Sequence, residues 1–219
     1  MRIILILAAL LSALSAVATA RAEGLHFISV AWIPSEKQQQ YDSFSQAVTP
    51  IWARHGMKAL LRAKVVGALA GGDEGDNEID LPSEIAILSV ASRASFENYI
   101  ADPDYRAIRP QRLDAVRQMI VLEGTPKPGE GNPLFDTAPQ FAMTFTAIPE
   151  APGAATEAPA PAFTMRVDLA GSIKGEVPDP FNTRPQISLF ALSYDDNPMS
   201  FVGQNSSDTP VFILQRHAD

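Results

Sequence analysis

The stretch from Glu84 to Gly124 constrains the fold of this chain more than any other. Its spacing predicts a strand over Ile85–Val90, an amphipathic helix with a Pro break over Arg93–Ala115, and a closing strand over Gln118–Leu122. The break falls at Asp102-Pro103, where Asp serves as an N-cap and Pro suits the first helical position. Phe96, Tyr99 and Ile100 form one apolar turn before it, and Tyr105, Ile108, Leu113 and Val116 continue the buried face beyond it.

Ahead of this unit, His26–Ile33 (HFISVAWI) is an apolar, β-branched and aromatic run of strand length. Pro34-Ser35-Glu36 then opens a helix in which Tyr41, Phe44, Val48, Ile51 and Trp52 recur at helical spacing. Pro50 is expected to kink or shorten that helix. His55-Gly56 is expected to end it, because Gly accepts the left-handed C′ position and His favours the negative end of the dipole. Met57–Leu69 reads as a second strand, followed by an acidic loop over residues 71–78. The order over residues 23–126 is therefore β-α-β-β-α-β, the ferredoxin-like plan.

Thr125–Pro133 (TPKPGEGNP) reads as a linker, with three Pro and two Gly in nine residues, and residues 127–138 separate the two halves. Residues 139–219 are β-rich, with strands expected over Phe141–Ile148, Phe163–Leu169, Ile187–Tyr194 and Val211–Gln215. Pro149–Ala162 is too rich in Pro to hold a regular helix. Four strands in the same order as the first four read as a degenerate second copy. Its first helix is eroded to a Pro/Ala loop and its second to a turn over Asp195–Pro210. The competing reading is an unrelated β-rich extension. The expected class is α+β, an N-terminal ferredoxin-like half and a C-terminal half that closes an intrachain pseudo-dimer, with a homodimer as the other way to cover the sheet.

Residues 1–22 carry the marks of a secretion signal: Met1-Arg2, an apolar run from Ile3 to Ala18 interrupted by Ser12 and Ser15, and small-x-small sites ending at Ala20 and Ala22. The run is short for a bilayer span of about 20 residues, so a periplasmic or secreted protein with no stable membrane anchor is expected. Removal of Arg2 and Arg21 leaves 15 basic residues against 25 acidic ones, a net charge of −10 instead of −8. With no Lys/Arg block, so acidic a chain is not expected to bind nucleic acid. Cysteine is absent, which rules out thiol nucleophiles and thiolate metal sites.

The run Ser95-Phe96-Glu97-Asn98-Tyr99-Ile100-Ala101-Asp102-Pro103-Asp104-Tyr105, with Ile108, Arg112 and Glu123-Gly124, resembles the domain-of-unknown-function family 1330. That resemblance covers about Phe27 to Gly124. It implies a dimeric α/β-barrel fold, a group that also holds the cofactor-free antibiotic-biosynthesis monooxygenases, and it implies no particular reaction. Two positions depart from the family pattern. His55-Gly56-Met57 stands where a Gly pair is usual, and Val66-Gly67 stands where Glu-Gly is expected.

Tyr105 and Arg112 are seven residues apart and share a side of the helix if it continues past Pro110. Arg112 could then hold an anionic group with Tyr105 as its hydrogen-bond partner. The competing role is a bridge from Arg112 to Asp102 or Asp104, with Tyr105 in the core. Trp32 and Trp52 are core candidates that could equally line a cavity between sheet and helices. His55 is a helix-end residue and a candidate wall of the same cavity. His26 and His217 flank strands and could approach each other if two sheets meet at their edges. No metal site, P-loop, Rossmann glycine pattern or catalytic triad is present, and no cofactor is expected. Two functions remain: a module binding a small apolar or anionic molecule, or a cofactor-independent monooxygenase- or isomerase-like enzyme working in the barrel interior.

Overall fold

The computed structural model describes residues 25–69, 80–126, 134–146, 161–182, 186–192 and 210–217. The expected signal, the acidic loop, the core of the linker and the segment over 195–209 lie outside the described residues. In chain order the elements are β1 (Leu25–Trp32), a short 3-10 turn (Ser35–Lys37), α1 (Gln38–Arg54), β2 (Met57–Leu69), β3 (Glu84–Val90), α2 (Arg93–Ala101), α3 (Pro103–Ala115) and β4 (Gln118–Pro126). The second half adds a helical turn, α4 (Leu134–Thr137), then β5 (Gln140–Thr146), β6 (Phe163–Lys174), β7 (Gln186–Leu192) and β8 (Val211–Arg216).

The eight strands form one closed barrel in the order β1-β3-β2-β8-β5-β7-β6-β4. Within the first half the order β4-β1-β3-β2 is that of a ferredoxin-like sheet. The halves meet edge to edge at two antiparallel seams. One runs from Ala63↔Arg216 to Leu69↔Val211, the other from Met119↔Lys174 to Pro126↔Met165. Closure satisfies the edge N–H and C=O groups that a lone sheet leaves open, and it brings the inner faces of the two halves against each other.

Alternation along the strands sorts side chains to two faces. Ile28, Val30 and Trp32 of β1, Ile85 and Ile87 of β3, and Ile120 and Leu122 of β4 point into the barrel. They meet Phe141, Met143 and Phe145 of β5, Met165 of β6, Leu189 of β7 and Phe212 of β8. The interior is a packed apolar core drawn from both halves. This corrects the expectation of a reaction chamber inside the barrel, since large side chains fill that space.

The opposite face of the first sheet carries the helices. α1 and α3 run antiparallel: Lys37 Nζ and Gln40 Nε2 reach Asp114 Oδ2 at 2.8 and 2.9 Å at one end, and Arg54 reaches Asp102 and Asp104 at 3.0 and 2.8 Å at the other. Pro50 does not end α1. Its ring and Gln46, four residues earlier, are both exposed, so water can satisfy the carbonyl that loses its amide partner. His55 caps the helix and Gly56 takes the left-handed conformation with φ 65°. Asp102 separates α2 from α3 and accepts from the amides of Asp104 and Tyr105 at 2.8 and 3.4 Å, the expected N-cap.

β6 runs to Lys174, five residues past its expected end. All of the added residues but Ile173 are polar or small, and pairing with β4 holds the extension in the sheet. Within the expected linker, α4 buries Phe135, whose ring lies 5.3 Å from Phe163 and 5.8 Å from Phe141.

Candidate functional site

The helix layer does not lie flat on the sheet. Between them is a cavity of ≈ 70 Å³, floored by Phe27 and Ser29 of β1 and by Met119 and Val121 of β4. α1 contributes Tyr41, Phe44 and Trp52, α2 contributes Phe96, Tyr99 and Ile100, and α3 contributes Tyr105 and Arg112. One water occupies about 10–15 Å³ of such space, so a handful of waters or one small ring would fit.

Arg112 is the anchor of this cavity. It is only 9% exposed, and its Nη2 donates to the Tyr105 hydroxyl at 2.9 Å. Its guanidinium carbon lies 5.5 Å from the Phe44 ring centre and 5.8 Å from that of Tyr105. Its Nε is buried without a partner, and among the described residues no carboxylate forms an ion pair with it. Asp102 and Asp104, the acids that could have claimed Arg112, are bound by Arg54 instead. Ring faces offset part of the cost of burying this cation, but a buried charge without a counter-ion is expensive.

The other polar groups at the cavity wall are donors as well. Burial pushes the Tyr41 and Tyr99 hydroxyls above the usual phenol range, so both stay protonated. The Trp52 indole N–H lies beside Tyr99 without an aligned hydrogen bond. Among the described residues no Asp, Glu or His lines the cavity. The site can donate to an acceptor and offers no carboxylate or imidazole as a general base.

A wider, more open vestibule of ≈ 410 Å³ adjoins the cavity and shares Phe27, Phe96, Tyr105 and Arg112 with it. Arg93, Arg109 and Glu123 lie on its wall, and β6 closes it with Leu169, Gly171, Ser172 and Ile173. Both halves of the chain therefore build the site. Arg93 is bound to Glu123.

Of the five residues expected at a site, the structure brings Tyr105, Arg112 and Trp52 together at this cavity. Trp32 is not there. It faces the barrel core, 6.1 Å from the Phe181 ring, with its indole N–H on Asp80 O at 3.0 Å. His55 stands behind the cavity, its Nε2 2.7 Å from Asp102 Oδ2 and its ring 6.3 Å from Tyr99. His26 and His217 have different neighbours. His26 lies 6.0 Å from the Phe163 ring, and His217 Nε2 lies 3.2 Å from Glu84 Oε2 without hydrogen-bond alignment. Among the described residues no His, Cys, Asp and Glu cluster is arranged to hold a metal ion.

Fold and cavity together define a mixed α/β protein: a closed eight-stranded barrel with a helix layer on one side and a donor-lined pocket beneath it. The model of the family described as Domain of unknown function (DUF1330) matches residues 29–125 of the N-terminal half. No curated protein matches the chain. Among solved structures, a protein of unknown function from Rhodopseudomonas palustris is similar at 20% identity and a TM-score of 0.41, over 53% of this chain and 93% of that one. An anthrone oxidase-like protein is similar at 10% identity and a TM-score of 0.46, over 90% of this chain and 92% of that one. A Lactobacillus acidophilus NCFM protein provisionally named a monooxygenase is similar at 9% identity and a TM-score of 0.45, over 89% and 94% of the two chains.

Proposed function

We propose that this chain is an exported module that binds a small molecule in the cavity between its first sheet and its helices. The observation that carries the reading is Arg112, a buried cation with an unsatisfied Nε and no acidic partner among the described residues. A bound acceptor supplies what the fold leaves out. The test is the Arg112→Ala variant: it loses the small molecule that co-purifies with the wild type in native mass spectrometry, while melting shifts by no more than about 1 kcal/mol in stability. Removing the unpaired charge offsets much of the lost packing. A large fall in stability with ligand retained overturns the reading.

The second reading, a cofactor-independent enzyme, uses the same cavity. Its donors are placed to stabilise an oxyanion developing on a bound substrate, which requires no protein base if the substrate ionises readily.

The C-terminal half is, on this reading, a second copy of the ferredoxin-like sheet. The order β4-β1-β3-β2 recurs as β8-β5-β7-β6, and each seam joins the second strand of one half to the fourth of the other. That correspondence supports a monomeric pseudo-dimer. Export is read from residues 1–22 alone, with cleavage after Ala20 or Ala22. Intact mass of the protein recovered outside the cytoplasm checks it; retention of Met1 to Ala20 overturns it.

A further inference from the structure

We infer that the ligand is a single-ring organic anion, seated with its ring in the inner cavity and its carboxylate in the vestibule between Arg112 and Arg109. This rests on the cavity being a binding site, and it adds the ligand's size, its charge and its orientation.

Size comes from the inner compartment. Its ≈ 70 Å³ are enclosed by Phe27, Phe44, Trp52, Phe96, Tyr99 and Tyr105, a wall of ring faces and edges that suits one flat apolar body. Charge and orientation come from the vestibule. Tyr105, Arg109 and Arg112 follow an i, i+4, i+7 spacing on α3, so the two cations share the face that looks onto it. Arg93 already has Glu123, but Arg109 has no ion-pair or hydrogen-bond partner among the described residues. In a chain of net charge −8, this opening holds three arginines against one acid among the described residues. Such a local field concentrates anions at the mouth of a chain whose net charge otherwise repels them.

The lining also rejects alternatives. With Arg112 the one charged group at the inner wall among the described residues, a cationic or donor-only ligand leaves its Nε unsatisfied and adds repulsion. A small inorganic anion satisfies Arg112 but leaves the aromatic compartment unfilled.

The test is calorimetric titration of the full chain with benzoate, benzyl alcohol and acetate, repeated on Arg109→Ala, an exposed position whose substitution leaves the packed core untouched. Benzoate is expected to bind at least tenfold more tightly than either of the others. Arg109→Ala is expected to weaken benzoate at least threefold and leave benzyl alcohol unchanged. Equal binding of benzoate and benzyl alcohol removes the anionic requirement and leaves the cavity reading intact. Equal binding of acetate and benzoate removes the ring. An unchanged benzoate affinity in Arg109→Ala overturns the paired-cation seat. Absence of binding by all three overturns this inference, and native mass spectrometry of the wild type then judges the cavity reading separately.

Discussion

His55 Nε2 lies 2.7 Å from Asp102 Oδ2, and that contact joins the end of α1 to the start of α3. Asp102 also caps α3, the helix that carries Tyr105, Arg109 and Arg112. The His55 hydrogen bond, helped by the Asp104 and Tyr105 amides and the Arg54 charge, holds the Asp102 carboxyl down at about 2. A carboxyl depressed in the folded state stabilises it above the unfolded value of about 3.9 and loses that effect as pH falls towards the folded value. The melting temperature is therefore expected to drop between about pH 4 and pH 2. Asp102→Asn, measured by calorimetry over the same range, should melt lower than wild type at pH 5, and the gap should close near pH 2.

The two tryptophans separate stability from binding. Trp32→Ala empties part of the barrel core and should cost about 3–5 kcal/mol, with ligand affinity per folded molecule unchanged. Trp52→Phe keeps most of the packing and removes the indole N–H, so it should weaken the ligand with less than about 1.5 kcal/mol lost in stability. Denaturant titration paired with calorimetry reads both; weakened binding in the Trp32 variant alone contradicts the assignment.

Gly124 sits in the β4–β6 seam, beside a register shift between Glu123 and Gly124. A Cβ there would fall 2.0 Å from Arg166 O, so Gly124→Ala must push the seam apart, at about 1–3 kcal/mol. Gly67 has nothing within 4 Å of its Cβ position, and Gly67→Ala should be neutral or stabilise by about 0.5–1 kcal/mol. Chemical denaturation of the pair checks whether the contact rather than the residue type decides.

Residues 23–126 expressed alone should dimerise or aggregate. That fragment exposes the β2 and β4 edges that β8 and β6 occupy in the whole chain, together with the apolar face over Ile28, Val30, Ile85 and Ile120. Light scattering decides; a well-behaved monomer contradicts it.

The first-half strands were legible in the sequence because the buried runs are long and bounded by Gly, Pro or polar clusters. The α1 stripe was legible because Tyr41, Phe44, Val48 and Ile51 keep the helical period and are all buried. Tyr105 and Arg112 emerged from their seven-residue spacing. Trp32 shares the parity of Ile28 and Val30, which fixes its face but not which face closes into a barrel; that depends on β8 and β6, far along the chain. Arg109 left a local signal, four residues beyond Tyr105, that carried no weight without a vestibule around it. Ser172 and Ile173 left none, since their place at the site exists only through pairing of β6 with β4.

Because β8 follows the other seven described strands in chain order and inserts between β2 and β5, the barrel stays unfinished until Val211–Arg216 is available. Every earlier stage of the chain leaves β2 and β5 as bare edges able to pair with another molecule. Closure through contacts so distant in sequence is slow compared with forming a helix or a hairpin. The order of synthesis thus sets a period of vulnerability, and a lesion in Val211–Arg216 would prolong it more than an equal lesion in any helix.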